Sequence, residues 1–176
     1  MNAPIAVPGE VVTGDLLDAV RAFVYREARL LDQRRYEDWL QTWISEPDLL
    51  YWVPAEDDVA GGDEVISFIY DNGTRLRTRV KQLLTGERYS QVPTSSTVRL
   101  VSNLEAYVDR PAGDAEQRRE IRVLTSFALH EYRLGRTHIW AGRTEYRLVG
   151  ENLRMAAKKV LLVDRVGAVP SMAFLL

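Results

Sequence analysis

The sequence predicts an α+β fold in which N-terminal helices pack on a long, strongly curved and mostly antiparallel sheet. Three observations lead there. Apolar residues in the N-terminal part recur at three- and four-residue steps, the period changes to two from Thr97 onward, and short polar turns separate the long two-period runs. The 176 residues suit one domain. Residues 1–12 read as an N-terminal arm and 13–176 as a single domain.

In residues 14–31, Leu16, Val20, Phe23, Val24, Ala28 and Leu31 fall along one helix face. Asp15 and Asp18 suit the positive end of that helix dipole. Tyr36, Trp39, Leu40 and Trp43 repeat the spacing, so a short second helix is expected over 36–43. After Pro47, the run DLLYWV (48–53) reads as a strand, ended by Pro54 and the acidic, Gly-rich AEDDVAGGDE, with a further short strand over 65–70. Residues 74–84 form a third helix, where Leu76, Val80, Leu83 and Leu84 are interleaved with Arg75, Arg77, Arg79 and Lys81. From Thr97, Val98, Leu100, Leu104, Ala106 and Val108 alternate with Arg99, Asn103, Glu105 and Tyr107, predicting a strand that buries the apolar set. The polar RPAGDAEQ then leads to strands over 121–134, 137–149 and 153–164, the first two joined across Gly135. Strands this long twist and curl.

The 23 basic and 25 acidic residues leave a net charge of −2, without the basic face of a nucleic-acid binder. Charged residues interrupt every apolar stretch, so no membrane span is expected. The first twelve residues carry no basic group ahead of their apolar run, unlike a signal peptide. A cytoplasmic location is the expectation. Cysteine is absent, which removes disulfides, thiolate nucleophiles and Cys-ligated iron–sulfur or zinc centres.

The sequence contains no GxxxxGK[ST], GxSxG, HExxH or GxGxxG. His130 and His138, with Glu131 or Glu145, would be the minimum for a non-haem iron triad. A two-residue turn at Gly135-Arg136 sets the histidines on opposite faces, and a three-residue turn centred on Gly135 sets them on one; no carboxylate is clearly aimed at them. An Asp or Glu inside a cone, raised in pKa, is able to move a proton. Asp38, Glu37 and the pair Asp57-Asp58 are the candidates, and none stands out. Thr94, Ser95, Ser96 and Thr97 follow Pro93 without a nearby base or a glycine cradle. They read as the start of a strand. No catalytic, cofactor-binding or metal-binding residue is assigned.

The stretch PTSSTVRLVSN resembles a recurring block in the small (β) subunits of bacterial aromatic-ring-hydroxylating dioxygenases. Pro93, Ser95, Thr97, Arg99, Leu100, Ser102 and Asn103 occupy the positions where that family has like residues. YREARLLDQRRYEDWL (25–40), Tyr51-Trp52-Val53-Pro54, ISFIYDN with the arginine-bearing helix after it, WAGRTEYRL and KKVLLVD are similar to further blocks in the same order. The resemblance runs from about Asp15 to Leu176. Ser96 departs where arginine is common, and Gln91 where an acidic residue is common; His130 and Glu131 fall where the family varies.

The resemblance implies a cone-shaped fold similar to nuclear transport factor 2. It also implies a non-catalytic structural β subunit of a terminal oxygenase, whose α subunit inserts O2 into an aromatic ring to give a cis-dihydrodiol. The partner would be that α subunit, in an α3β3 hexamer with β–β trimer contacts. The Rieske [2Fe-2S] cluster and mononuclear Fe(II) would sit in α, with electrons ultimately from NAD(P)H. Arg75, Arg79, Arg99, His138 and Trp140 are the partner-interface candidates, the guanidinium fork being suited to partner carboxylates. The alternative is a free-standing isomerase, dehydratase or cyclase of small hydrophobic molecules, which needs a buried carboxylate or His in the cone.

Overall fold

The structure is a computed structural model and describes residues 9–45, 49–56, 66–85, 93–109, 119–165, 167, 172 and 174–176. Residues 1–8 of the expected arm, most of the Gly-rich loop with Asp57-Asp58, Gln91 and the RPAGDAEQ turn lie outside the described residues. The helices are α1 (Gly14–Asp32), α2 (Tyr36–Leu40) and α3 (Gly73–Thr85). The strands are β1 (Glu10–Val11), β2 (Leu50–Pro54), β3 (Ser67–Asp71), β4 (Ser96–Asp109), β5 (Glu120–Arg133), β6 (Arg136–Val149) and β7 (Arg154–Leu162). They form one sheet in the order β1-β4-β5-β6-β7-β2-β3. Among the described strands, β2 and β7 pair in parallel and the other pairs are antiparallel. Glu10 and Val11, within the stretch expected as an arm, pair with Val108 and Tyr107, and Val12 just after them is buried and donates to the Ala106 carbonyl (2.9 Å).

Helix α1 buries Val20, Val24, Glu27, Ala28, Leu30 and Leu31. It ends where Arg34 turns left-handed at φ 57°. The Arg34 amide then donates to the Leu31 carbonyl (3.0 Å) and the Arg35 amide to the Leu30 carbonyl (2.8 Å). That crossed pair closes the helix and reverses the chain. Helix α2 stops at Leu40, short of the expected Trp43, because β7 captures the chain. Trp43 bridges Met155, the Met155 amide donates to the Thr42 carbonyl (2.8 Å), and Arg154 donates to the Gln41 carbonyl (2.7 Å). The aromatic face survives this exit. Trp39 stands edge-on to Trp43 at 5.3 Å and to Tyr51 at 5.9 Å between centroids.

Strand β4 corrects the sequence reading of its own faces. Val98 and Leu100 are exposed, whereas the Arg99 side chain is 5% exposed and points inward. A bulge between Ser102 and Glu105, with Asn103 at φ 51°, sets two residues of β4 against one of β5. The inserted residue reverses the alternation, so Ala106 lies in the core as expected. Asn tolerates the left-handed backbone that this bulge needs. Strands β6 and β7 approach closely at Gly142, where a Cβ would stand 2.3 Å from the Leu161 carbonyl oxygen. Only glycine fits there.

The β5–β6 hairpin turns on Leu134 and Gly135, at φ 51° and 75°. Two positive φ values make the tight turn that matches strand twist. Arg133 therefore pairs with Arg136, Glu131 with His138, and His130 with Ile139. This register is neither of the two weighed from sequence, and it puts the histidines on opposite faces of the sheet.

Candidate functional site

The concave side of the sheet, roofed by the helices, holds a buried polar cluster. Glu27 of α1 and Lys158 of β7 are 2% and 3% exposed, and their charged atoms are 2.6 Å apart. Glu27 Oε1 also accepts from Trp39 Nε1 (2.8 Å), and Oε2 accepts from the Tyr146 hydroxyl (3.4 Å). Lys158 Nζ donates further to the main-chain oxygen of Leu176 (2.8 Å). The Tyr51 hydroxyl donates to that same oxygen (3.2 Å) and accepts from the Leu176 amide (3.0 Å). Arg99 joins the cluster from β4, donating to the Asp32 carboxylate and to the Leu175 carbonyl oxygen.

Sequence reasoning missed this cluster, although both charges sit at core positions. Glu27 lies three residues after Val24 and four before Leu31 on the apolar face of α1, and Lys158 shares the phase of Ala156, Val160 and Leu162. A carboxylate beside an amine in a dry cone is the arrangement that the isomerase alternative requires. Here each group is engaged by another part of the chain, and Phe174, Leu175 and Leu176 are buried beside it.

Burial raises the Tyr51 and Tyr146 hydroxyl pKa values and lowers that of Lys158, Glu27 opposing the last shift. The two signs act in different windows. Raised tyrosines contribute stability below about pH 10 that is lost as pH rises toward their folded values. A lowered lysine adds stability as pH rises toward about 10.4 and nothing further beyond it. The urea midpoint is therefore expected to fall between pH 10.5 and 11.5, and to fall less in Tyr51→Phe/Tyr146→Phe. An equal fall in that variant would place the alkali sensitivity elsewhere.

A second cluster explains the hydroxyls of the PTSST stretch. Ser95 Oγ donates to the buried Glu131 carboxylate, which also accepts from Trp140 Nε1 (2.8 Å). Thr97 Oγ1 donates to Asp32 (3.0 Å), and Thr94 Oγ1 accepts from Arg34. Three hydroxyls thus tie the start of β4 to β5 and to the end of α1, while Ser96 is exposed. Among the described contacts, none of these hydroxyls is paired with a His or Lys side chain.

The five interface candidates fall in different places. Arg75 is exposed on α3 and donates to the Tyr70 carbonyl (3.2 Å). Arg79 forms a bidentate pair with the buried Asp71 and borders an open groove with Thr74, Arg75, Thr78 and Gln82. Arg99 is engaged inside the cone. Trp140 is fully buried, edge-on to Phe174, and His138 lies against it at 4.6 Å between centroids.

The opposite face of the same strands is apolar and open. Its rows read across the register: Leu100, Ala128, Ala141 and Val163 in one, and Val98, His130 and Ile139 in the next. Tyr132 follows in a third. Leu100 is 70% exposed and Ile139 60%. This patch spans β4, β5, β6 and the residue after β7.

The donor set does not suit the iron centres that the resemblance implies for the oxygenase. A Rieske cluster takes two cysteines and two histidines, and the sequence has no cysteine. The two histidines face away from each other across the sheet. Among the described residues, no three His, Asp or Glu side chains group as a metal site.

Comparison with known proteins completes the picture. A family model described as ring hydroxylating beta subunit matches residues 26–167. The small oxygenase component of the p-cumate 2,3-dioxygenase system of Pseudomonas putida is 34% identical over 147 residues, covering 81% of this chain and 77% of that protein. The β subunit of benzoate 1,2-dioxygenase from Burkholderia mallei superposes with a TM-score of 0.65 at 26% identity, over 93% of this chain and 99% of that one. A naphthalene 1,2-dioxygenase structure with indole bound shares the fold, with a TM-score of 0.74 at 19% identity over 93% of this chain and 88% of that one. Helices on one curved sheet, a self-filled cone and this match over most of the chain together show a nuclear-transport-factor-2-like protein that belongs to the β-subunit family of the aromatic-ring-hydroxylating dioxygenases.

Proposed function

We propose that this chain supports a catalytic α subunit without contributing a reaction centre, in an α3β3 oxygenase that dihydroxylates an aromatic ring. The observation that carries the reading is the apolar patch on the outer sheet face. A contiguous apolar surface of this kind marks a protein contact, and obligate contacts are the more apolar class. We assign the patch to contacts between β copies, and the arginine-bearing groove of α3 to carboxylates of the α subunit. The Rieske cluster and the mononuclear iron then belong to α, fed with electrons that originate in NAD(P)H. A cytoplasmic location accompanies this role.

The test uses two variants, each assayed with and without the α subunit. Leu100→Asp/Ile139→Asp is expected to sediment as a monomer where the unaltered chain is a trimer, with the circular dichroism spectrum unchanged. Arg75→Glu is expected to remain a trimer and to lose co-purification with α. A monomeric unaltered chain at tens of micromolar, or a double variant that stays trimeric, would overturn the assignment of the patch. Stoichiometric iron in the isolated chain would overturn the non-catalytic reading.

A further inference from the structure

The interior of the cone holds a segment of the protein's own chain. Phe174, Leu175 and Leu176 are buried although they belong to no helix or strand. Phe174 stands edge-on to Trp140 at 5.6 Å between centroids, and all three residues join the apolar core. Their polar contacts are of a different kind. Arg99 donates to the Leu175 carbonyl, Lys158 and Tyr51 donate to the Leu176 oxygen, and Tyr51 accepts from the Leu176 amide. Each of these contacts is to main chain. The three receiving side chains come from β4, β7 and β2, and each is almost wholly buried. Two are held from behind, Arg99 by Asp32 and Lys158 by Glu27.

Donors fixed in place before a ligand arrives, with apolar walls between them, are the ingredients of a binding pocket. We propose that the interior of the cone is a binding site for a short apolar peptide offering two successive main-chain oxygens, and that residues 174–176 fill it as a built-in ligand. The site reads the peptide backbone through Arg99, Lys158 and Tyr51, and reads apolar side chains by fit. It therefore accepts other apolar sequences and rejects charged ones. Emptied, it leaves three buried polar groups short of a partner, which costs free energy until an acceptor returns.

The probe is acetyl-Ala-Phe-Leu-Leu-amide, with acetyl-Ala-Lys-Leu-Lys-amide as control. Two proteins are compared: a variant lacking residues 173–176, and the full chain carrying Phe174→Ala/Leu176→Ala. Both are expected to melt below the unaltered chain. The Phe-Leu-Leu probe should raise each midpoint saturably, by about 5–10 °C at a hundredfold excess over Kd, while the control does nothing. If the deleted variant does not fold alone, recovery of its tertiary circular dichroism with the probe supports the proposal. A deletion that leaves the midpoint unchanged would overturn it, as would failure of the probe to act on either protein at millimolar concentration. These readouts need only the isolated chain, so their failure leaves the subunit assignment untouched, and failure of that assignment leaves this site untouched.

Discussion

Replacing Lys158 with methionine is expected to destabilise the chain by about 3–5 kcal/mol, the usual cost of stranding one member of a buried ion pair. The substitution keeps the length and most of the volume of the side chain and removes its charge. Glu27 is then left 2% exposed with Trp39 and Tyr146 as its donors among the described residues, neither of them charged. The Leu176 oxygen loses its closer donor at the same time. Glu27→Leu/Lys158→Met should recover most of the loss, since apolar side chains of similar volume often replace a buried pair at little cost. Urea denaturation of the two single variants and the double variant gives the coupling directly. A single-variant loss below about 1 kcal/mol would mean that water reaches the pair.

Trp140→Ala should cost about 3–5 kcal/mol, as large-to-small changes of buried aromatics do. Trp140 is fully buried, packs on Phe174 and His138, and donates to Glu131. Its loss opens a cavity and leaves Glu131 with Ser95 as its remaining side-chain donor. The measurement belongs in the Leu100→Asp/Ile139→Asp background, where the proposed assembly is expected to add nothing to the apparent stability. The expected contrast is between neighbours: Trp140 governs folding, and Ile139, one residue away on the other face, governs association. A small stability loss with weakened association would return Trp140 to an interface role.

Much of this architecture was legible in the sequence because long elements have a strong period. The 3.6-residue spacing of α1 and the two-residue spacing of β5 and β6 survive any detail of packing. What failed to show has local causes. The exit of α2 at Leu40 depends on capture by Met155 and Arg154, more than a hundred residues away in the chain. The inward turn of Arg99 depends on one extra residue at the β4 bulge, which no glycine or proline marks. The interior cluster had a readable signal, a charge at a core position on α1 and another on β7, but their meeting is a tertiary fact. The built-in ligand has no period, so Phe174–Leu176 looks like any apolar end. The hydroxyls of the PTSST stretch were read correctly as the start of a strand, but the buried carboxylate that receives Ser95 was not foreseen.

The bulge in β4 also bears on how this chain can be compared and recombined with others. Parity means opposite things on its two sides: even-numbered Val98 and Leu100 face outward, whereas even-numbered Ala106 faces the core. Each half of the strand therefore has its own inward set, Thr97 and Arg99 before the bulge and Leu104 and Ala106 after it, and the parity of that set switches at the extra residue. A chimera with its crossover inside this strand would need to carry the extra residue along with the half that it serves. Moved without it, an otherwise compatible segment would present its wet side to the core.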